Sequence, residues 1–156
     1  MNFIINTIPQ PAQFSKRPNP EDVVAYGAYM FNAADCSGCH TQKDQENPIP
    51  GLELAGGYKF NMPGGGTVLS ANITPDQETG IGGWAEEDFV KRFKQYADGT
   101  YKPADVKPGE FNTVMPWGMF STMKTEDLKA IYAYLRTVKP VKNKVEKFIA
   151  EQRATE

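Results

Sequence analysis

Both cysteines of this chain and its only histidine fall within "NAADCSGCHT", residues 32 to 41, as Cys36, Cys39 and His40. Two thiols and an imidazole at C-x-x-C-H spacing can serve three chemistries. A structural zinc ion usually takes four nitrogen or sulfur ligands, and this window offers three. A dithiol redox centre calls for a strand–helix setting with its first thiol at a helix N-terminus; here the window follows a helical pattern, with no strand pattern nearby. Covalent haem attachment uses all three residues, because both thiols bond to haem vinyl groups while the histidine ligates the iron. Two buried cysteines beside an incidental histidine would leave the clustering of three rare residues unexplained.

A haem iron held by His40 needs a second axial ligand for pure electron transfer, and with no second histidine the six methionines are the candidates. Met30 lies on the same helical segment as the thiols, on the proximal side. Met62 sits in a Gly-rich loop, and Met119 and Met123 are spaced as one packed helical face. Met115 is followed by Pro116, which pushes it out of the helical region and into an extended loop able to project a thioether inward. Met115 is the expected ligand, with Met119 in reserve. The ring nitrogen of His40 that does not face the iron should donate to a backbone carbonyl, with Pro50 in the right loop to accept.

Helices must position these groups. Asn19 as cap, Pro20 at the first helical position, and Val23, Tyr26 and Met30 at helical spacing predict a helix of about four turns running into Cys36. Phe89, Val90, Phe93 and Tyr96 predict a second helix ended by Gly99. Thr125 as cap, with Leu128, Ile131, Tyr132 and Leu135 as the apolar stripe, predicts a third, stopped at Pro140. Gly27 is expected where the first helix crosses the third, opposite Tyr132 and Leu135. Residues 46 to 83 and 100 to 118 are rich in Pro and Gly and read as long loops. No β alternation stands out, so the expected fold is all-α, with three main helices and long loops wrapped around one haem.

With 156 residues, the chain has room for one ordinary domain. Residues 1 to 19 read as an extended lead-in, 20 to 140 as the domain, and 141 to 156 as a tail in which Val145, Phe148 and Ile149 could form a short helix. Composition is that of a loop-rich globular protein: 40% hydrophobic and 23% charged, with 14 Gly and 12 Pro. A net charge of -2 with scattered Lys and Arg gives no electrostatic case for nucleic acid. No stretch approaches the roughly 18 apolar residues of a membrane span.

Three segments together resemble a known family: "YGAYMFNAADCSGCHT", "SANITPDQETGIGGW" with "EEDF" after it, and "VMPWGMF" followed by "TEDLKAIYAYL". Spanning residues 26 to 138, they resemble the class I c-type cytochromes, closest to the bacterial domains that serve as electron-transfer subunits of periplasmic dehydrogenases and respiratory complexes. One departure is Ala85, where similar sequences often carry a Ser or Thr cap, so the second helix is expected to fray at its start. The resemblance implies one covalent haem c on Cys36 and Cys39, with His40 and Met115 as axial ligands. It also suggests propionate or pocket contacts from Asn72 and Trp84, with turn chemistry before Thr74-Pro75 as the competing role of Asn72.

The implied function is single-electron transfer between redox partners such as a dehydrogenase, respiratory complex or terminal oxidase. A peroxidase-like haem enzyme or a gas-binding sensor is the alternative. Partners would approach near Ser37, Gly38 and residues 115 to 119, with Lys43, Asp44, Lys102 and Asp105 as a polar rim. Covalent haem attachment in bacteria takes place outside the cytoplasmic membrane, so a periplasmic or otherwise extracytoplasmic location is implied. A signal peptide or membrane anchor is then expected upstream of Met1, with "FIINTI" as its last piece.

Overall fold

The computed structural model describes residues 16–102 and 104–150. Most of the expected lead-in, the end of the tail and Pro103 lie outside those residues. Helix α1 spans Val23–Ala33 and is capped by the Asp22 carboxylate, which accepts from the Ala25 N–H at 3.1 Å. Asn19 instead caps the turn before it, accepting from the Glu21 N–H. The helix does not run on into Cys36. It ends at Ala33, and Asp35 takes a left-handed conformation (φ +49°) that breaks the axis before a separate helix α2, Cys36–His40. Asp is among the few residues that adopt this conformation at modest cost.

Helix α3 spans Glu86–Lys94, α4 Trp117–Phe120 and α5 Thr125–Leu135. The first turn of α3 carries Glu86, Glu87 and Asp88 and its last Lys91, Arg92 and Lys94, an order that complements the helix dipole. Its start is better tied than Ala85 suggests: the Asp88 carboxylate accepts from the Ala85 N–H at 3.3 Å, and Lys129 pairs with Glu86 at 2.8 Å. The helix ends well before Gly99, at Lys94 with Gln95 as C-cap. Helix α5 begins at Thr125 itself, so the cap position falls one residue earlier than expected, on Lys124.

Helices α1 and α5 cross at Gly27. A Cβ there would overlap the Ala130 carbonyl and press on the Tyr134 Cβ, so the residues facing Gly27 are Ala130 and Tyr134, not Tyr132 and Leu135. The crossing is also closed by a hydrogen bond of 2.8 Å from the Tyr26 hydroxyl to Asp127. Beneath it, Phe31, Leu54, Ile81, Phe89, Ile131 and Leu135 form the core, with Cys36, Met30, Phe93 and Met123 packed on its margin. α3 lies against α5, and Phe89 meets Tyr132 at a ring separation of 5.5 Å.

The all-α expectation is corrected by two small antiparallel sheets. Strands β1 (Lys43–Asp44) and β2 (Asn47–Pro48) form a tight hairpin. β3 (Lys59–Asn61), β4 (Thr67–Leu69) and β5 (Phe148–Ile149) form a sheet in that order, with Phe60 opposite Val68 and Val68 opposite Phe148. Within the tail, Phe148–Ile149 therefore form a strand and not part of the expected short helix. Its Phe148 ring lies over Gly66, where any side chain would collide with it. Strands of two or three residues are too short to display an alternating pattern.

Candidate haem site

Helix α2 carries both thiols and the histidine. Cys36 and Cys39 are three residues apart and so lie on one side of the helix, with His40 directly after. Both thiols are free; Cys36 is half-buried and Cys39 exposed. Burial pushes the Cys36 thiol up to about 11, which keeps it protonated at neutral pH.

His40 is fixed through its Nδ1, which lies 2.8 Å from the Ala71 carbonyl oxygen. Donation to that carbonyl places the proton on Nδ1 and leaves Nε2 as the bare nitrogen for a metal. Burial lowers the affinity of the imidazole for a second proton, and the Ala71 hydrogen bond partly opposes this. The acceptor is thus Ala71 and not Pro50. The reason lies in the backbone pairing around Gly56. Its N–H donates to the His40 carbonyl at 2.8 Å, and the Gly57 N–H donates to the Ser70 carbonyl at 2.8 Å, drawing residues 70 and 71 alongside the histidine. Gly56 has φ +73°, and a Cβ there would run into the Ser70–Ala71 backbone, so glycine permits this approach.

Asn72 follows Ala71 and is 4% exposed. Its amide donates to the Thr79 hydroxyl (3.0 Å) and the Val141 carbonyl (2.7 Å), while its oxygen accepts from the Thr74 N–H (2.9 Å) and the Thr74 hydroxyl (2.8 Å). Both donors and both acceptor sites are spent inside the protein, which favours the turn role over a propionate contact. Trp84 sits with its ring partly open to solvent, its backbone tied by the Tyr132 hydroxyl, which donates to its carbonyl at 2.7 Å.

The methionines separate by position. Met30 and Met123 pack on the core margin, and Met62 stands in the turn joining β3 to β4. Met119, on α4, is 62% exposed. Met115 is half-buried on the extended segment before α4. That segment is anchored to α3 by Trp117, whose ring stacks on Tyr96 at 5.4 Å, meets the Phe93 ring edge-on at 5.3 Å, and lies 4.4 Å from the Arg92 guanidinium. Lys94 reaches across as well, donating to the carbonyls of Ser121 and Met123. Cys36 of α2 and Phe93 of α3 both border the same core cluster, and Phe93 is the residue Trp117 meets edge-on.

These residues suit a haem: two free thiols on one helical face, a histidine with its outer nitrogen bare, and a supply of softer sulfur ligands. Trp84, Tyr101, Phe111, Val114 and Met119 are each between 39% and 62% exposed. The Ala71 carbonyl, Lys94 and the Thr74–Thr79 pair lie beyond sequence reasoning. A backbone acceptor leaves no mark in a sequence, and a lysine that binds carbonyls looks like any surface lysine.

A family model described as cytochrome c matches residues 24–139, and the chain belongs to the cytochrome c family. Membership gives it covalently bound haem c and an electron-transfer role. The chain is 38% identical over 138 residues to the fructose dehydrogenase cytochrome subunit of Gluconobacter japonicus, covering 86% of this chain and 24% of that subunit. It is 37% identical over 120 residues to the gluconate 2-dehydrogenase cytochrome c subunit of Pantoea cypripedii, covering 76% and 24%. To the cytochrome c subunit of the quinone alcohol dehydrogenase of Gluconobacter oxydans it is 36% identical over 124 residues, covering 78% and 23%. The chain thus spans about a quarter of the length of these relatives. Among the described residues, no helix is long and apolar enough to cross a membrane.

Proposed function

We propose that the chain holds one haem c between His40 and Met115 and passes single electrons from a dehydrogenase partner to an acceptor, outside the cytoplasmic membrane. The observation that carries this reading is His40 on α2, one residue past Cys39, with Nδ1 bonded to Ala71 and Nε2 free. Cys36 and Cys39 hold the group through thioether bonds, and their single pair supports one haem. His40 Nε2 and the Met115 sulfur would hold the iron, and with both bound a substrate would have no place on it. Bound haem supplies a one-electron couple, and a neutral thioether favours its ferrous state. The three relatives described above are all named as cytochrome subunits of dehydrogenases, which supports a dehydrogenase as donor.

Two measurements on protein matured by a haem-attachment system test this. The acid-denatured chain should exceed its polypeptide mass by one haem, and the ferric spectrum should be little changed by cyanide over the time of mixing. An unshifted mass removes the covalent haem. Rapid cyanide binding, or peroxide turnover by the native protein, moves the reading to the sensor or enzyme class.

A further inference from the structure

We propose that Asn72 is a positioning residue for His40: it fixes the peptide whose carbonyl orients the imidazole, and so sets the reduction potential. This rests on the haem reading given above.

The Ala71 carbonyl and the Asn72 N–H belong to one planar peptide unit, so holding Asn72 also holds the direction of the carbonyl. Asn72 is held by all four of its side-chain hydrogen bonds. Its partners are themselves tied down. The Thr79 hydroxyl donates to Asp76 at 2.7 Å and accepts from the Asn143 N–H at 3.0 Å. Val141 donates its N–H to the Thr74 hydroxyl at 3.1 Å, and the Asn143 amide donates to the Ala55 carbonyl at 3.0 Å. On the other side of Ala71, Ser70 is paired with Tyr58 through its N–H (3.0 Å) and its hydroxyl (3.1 Å).

The tail after α5 is thereby stitched to the loop behind the histidine, with Asn72 at the junction. A surface turn would not need a buried amide with every valence used. Here the rigidity is delivered to the Ala71 carbonyl, 2.8 Å from His40 Nδ1. A well-directed acceptor draws the Nδ1 proton, makes Nε2 a stronger donor and stabilises ferric iron. Loosening it weakens that donation and favours the ferrous state.

The test compares the full haem-loaded chain with Asn72→Ala, Thr79→Val and Tyr26→Phe. Tyr26→Phe gives up the α1–α5 hydrogen bond, away from Ala71, and serves as the stability control. Potentiometric titration of Asn72→Ala should show the reduction equilibrium displaced about tenfold toward the ferrous state, the low end of the change that losing an outer-shell partner brings to metal affinity. The low-spin ferric resonance should shift in its g-values, reporting a changed imidazole orientation. Thr79→Val, which removes one partner of the Asn72 amide, should move both readouts in the same direction by less, and it carries the test if Asn72→Ala does not fold. Tyr26→Phe should lower stability and leave both unchanged. Parental potential and g-values in Asn72→Ala, or in Thr79→Val where that variant alone folds, overturn the proposal. A parent chain without thioether-bound haem overturns the underlying reading instead.

Discussion

Asp76 shows how single side chains stiffen the loop behind His40. Its carboxylate accepts from the Thr79 hydroxyl, the Thr79 N–H and the Glu78 N–H, and these bonds, the hydroxyl first, hold its pKa below the ordinary 3.8. A carboxyl lowered by folding contributes stability that is present above its unfolded value and lost as pH falls through the folded one. Denaturation midpoints of the haem-loaded protein should therefore fall more steeply below about pH 4 than those of Asp76→Asn. Parallel curves would show that these bonds do not favour the charged form. At this scale the sequence is most informative where chemistry depends on side chains. Cys36, Cys39 and His40 stand out because few other residues do what they do. The acceptor for His40 does not, since Ala71 contributes a backbone oxygen, and Pro50 has only its loop to suggest it. For Asn72 the sequence allows a haem contact or a turn role, and the choice depends on partners as distant as Val141, which fill its amide from both sides.

Between elements, the decisive contact is the α1–α5 crossing. Gly27 has no room for a Cβ because the Ala130 carbonyl occupies that space. Gly27→Val should force the helices apart and cost about 1–3 kcal/mol, the range for overpacking a tight contact. Chemical denaturation of the haem-loaded variant reads this directly, and a midpoint equal to the parent's would mean the helices can slide without loss. The three longer helices are legible because each repeats its apolar residues over enough turns to show the period: Leu128, Ile131 and Leu135 all lie inward on α5. Their ends are less so. Asp22 takes the cap from Asn19, and Asp35 breaks α1 through a backbone angle that no composition announces. The β3–β4–β5 sheet escapes sequence reading because its pairing joins residue 149 to residue 67, a long-range choice with only two or three residues of pattern on each strand.

At the scale of the whole molecule, two sets of contacts frame the site. Cys36 of α2 packs on the margin of the core between α1 and α5, the chain after Met115 meets Phe93 of α3 through Trp117, and Lys94 of α3 holds the chain after α4 at Ser121 and Met123. On the proposed reading, thioether and histidine anchors would hold the redox group with little reorganisation, and the Met115 sulfur would keep other ligands from the iron. A net charge of -2 gives little long-range steering, so partner choice would rest on local contacts around the exposed edge of the site. The central claim is that His40 and Met115 close both axial positions. The far-red absorption band of thioether-ligated ferric haem, recorded for the parent, Met115→Ala and Met119→Ala, tests it most directly. The account predicts the band in the parent and in Met119→Ala and its loss in Met115→Ala; a band that survives in Met115→Ala, or disappears with Met119, would contradict it.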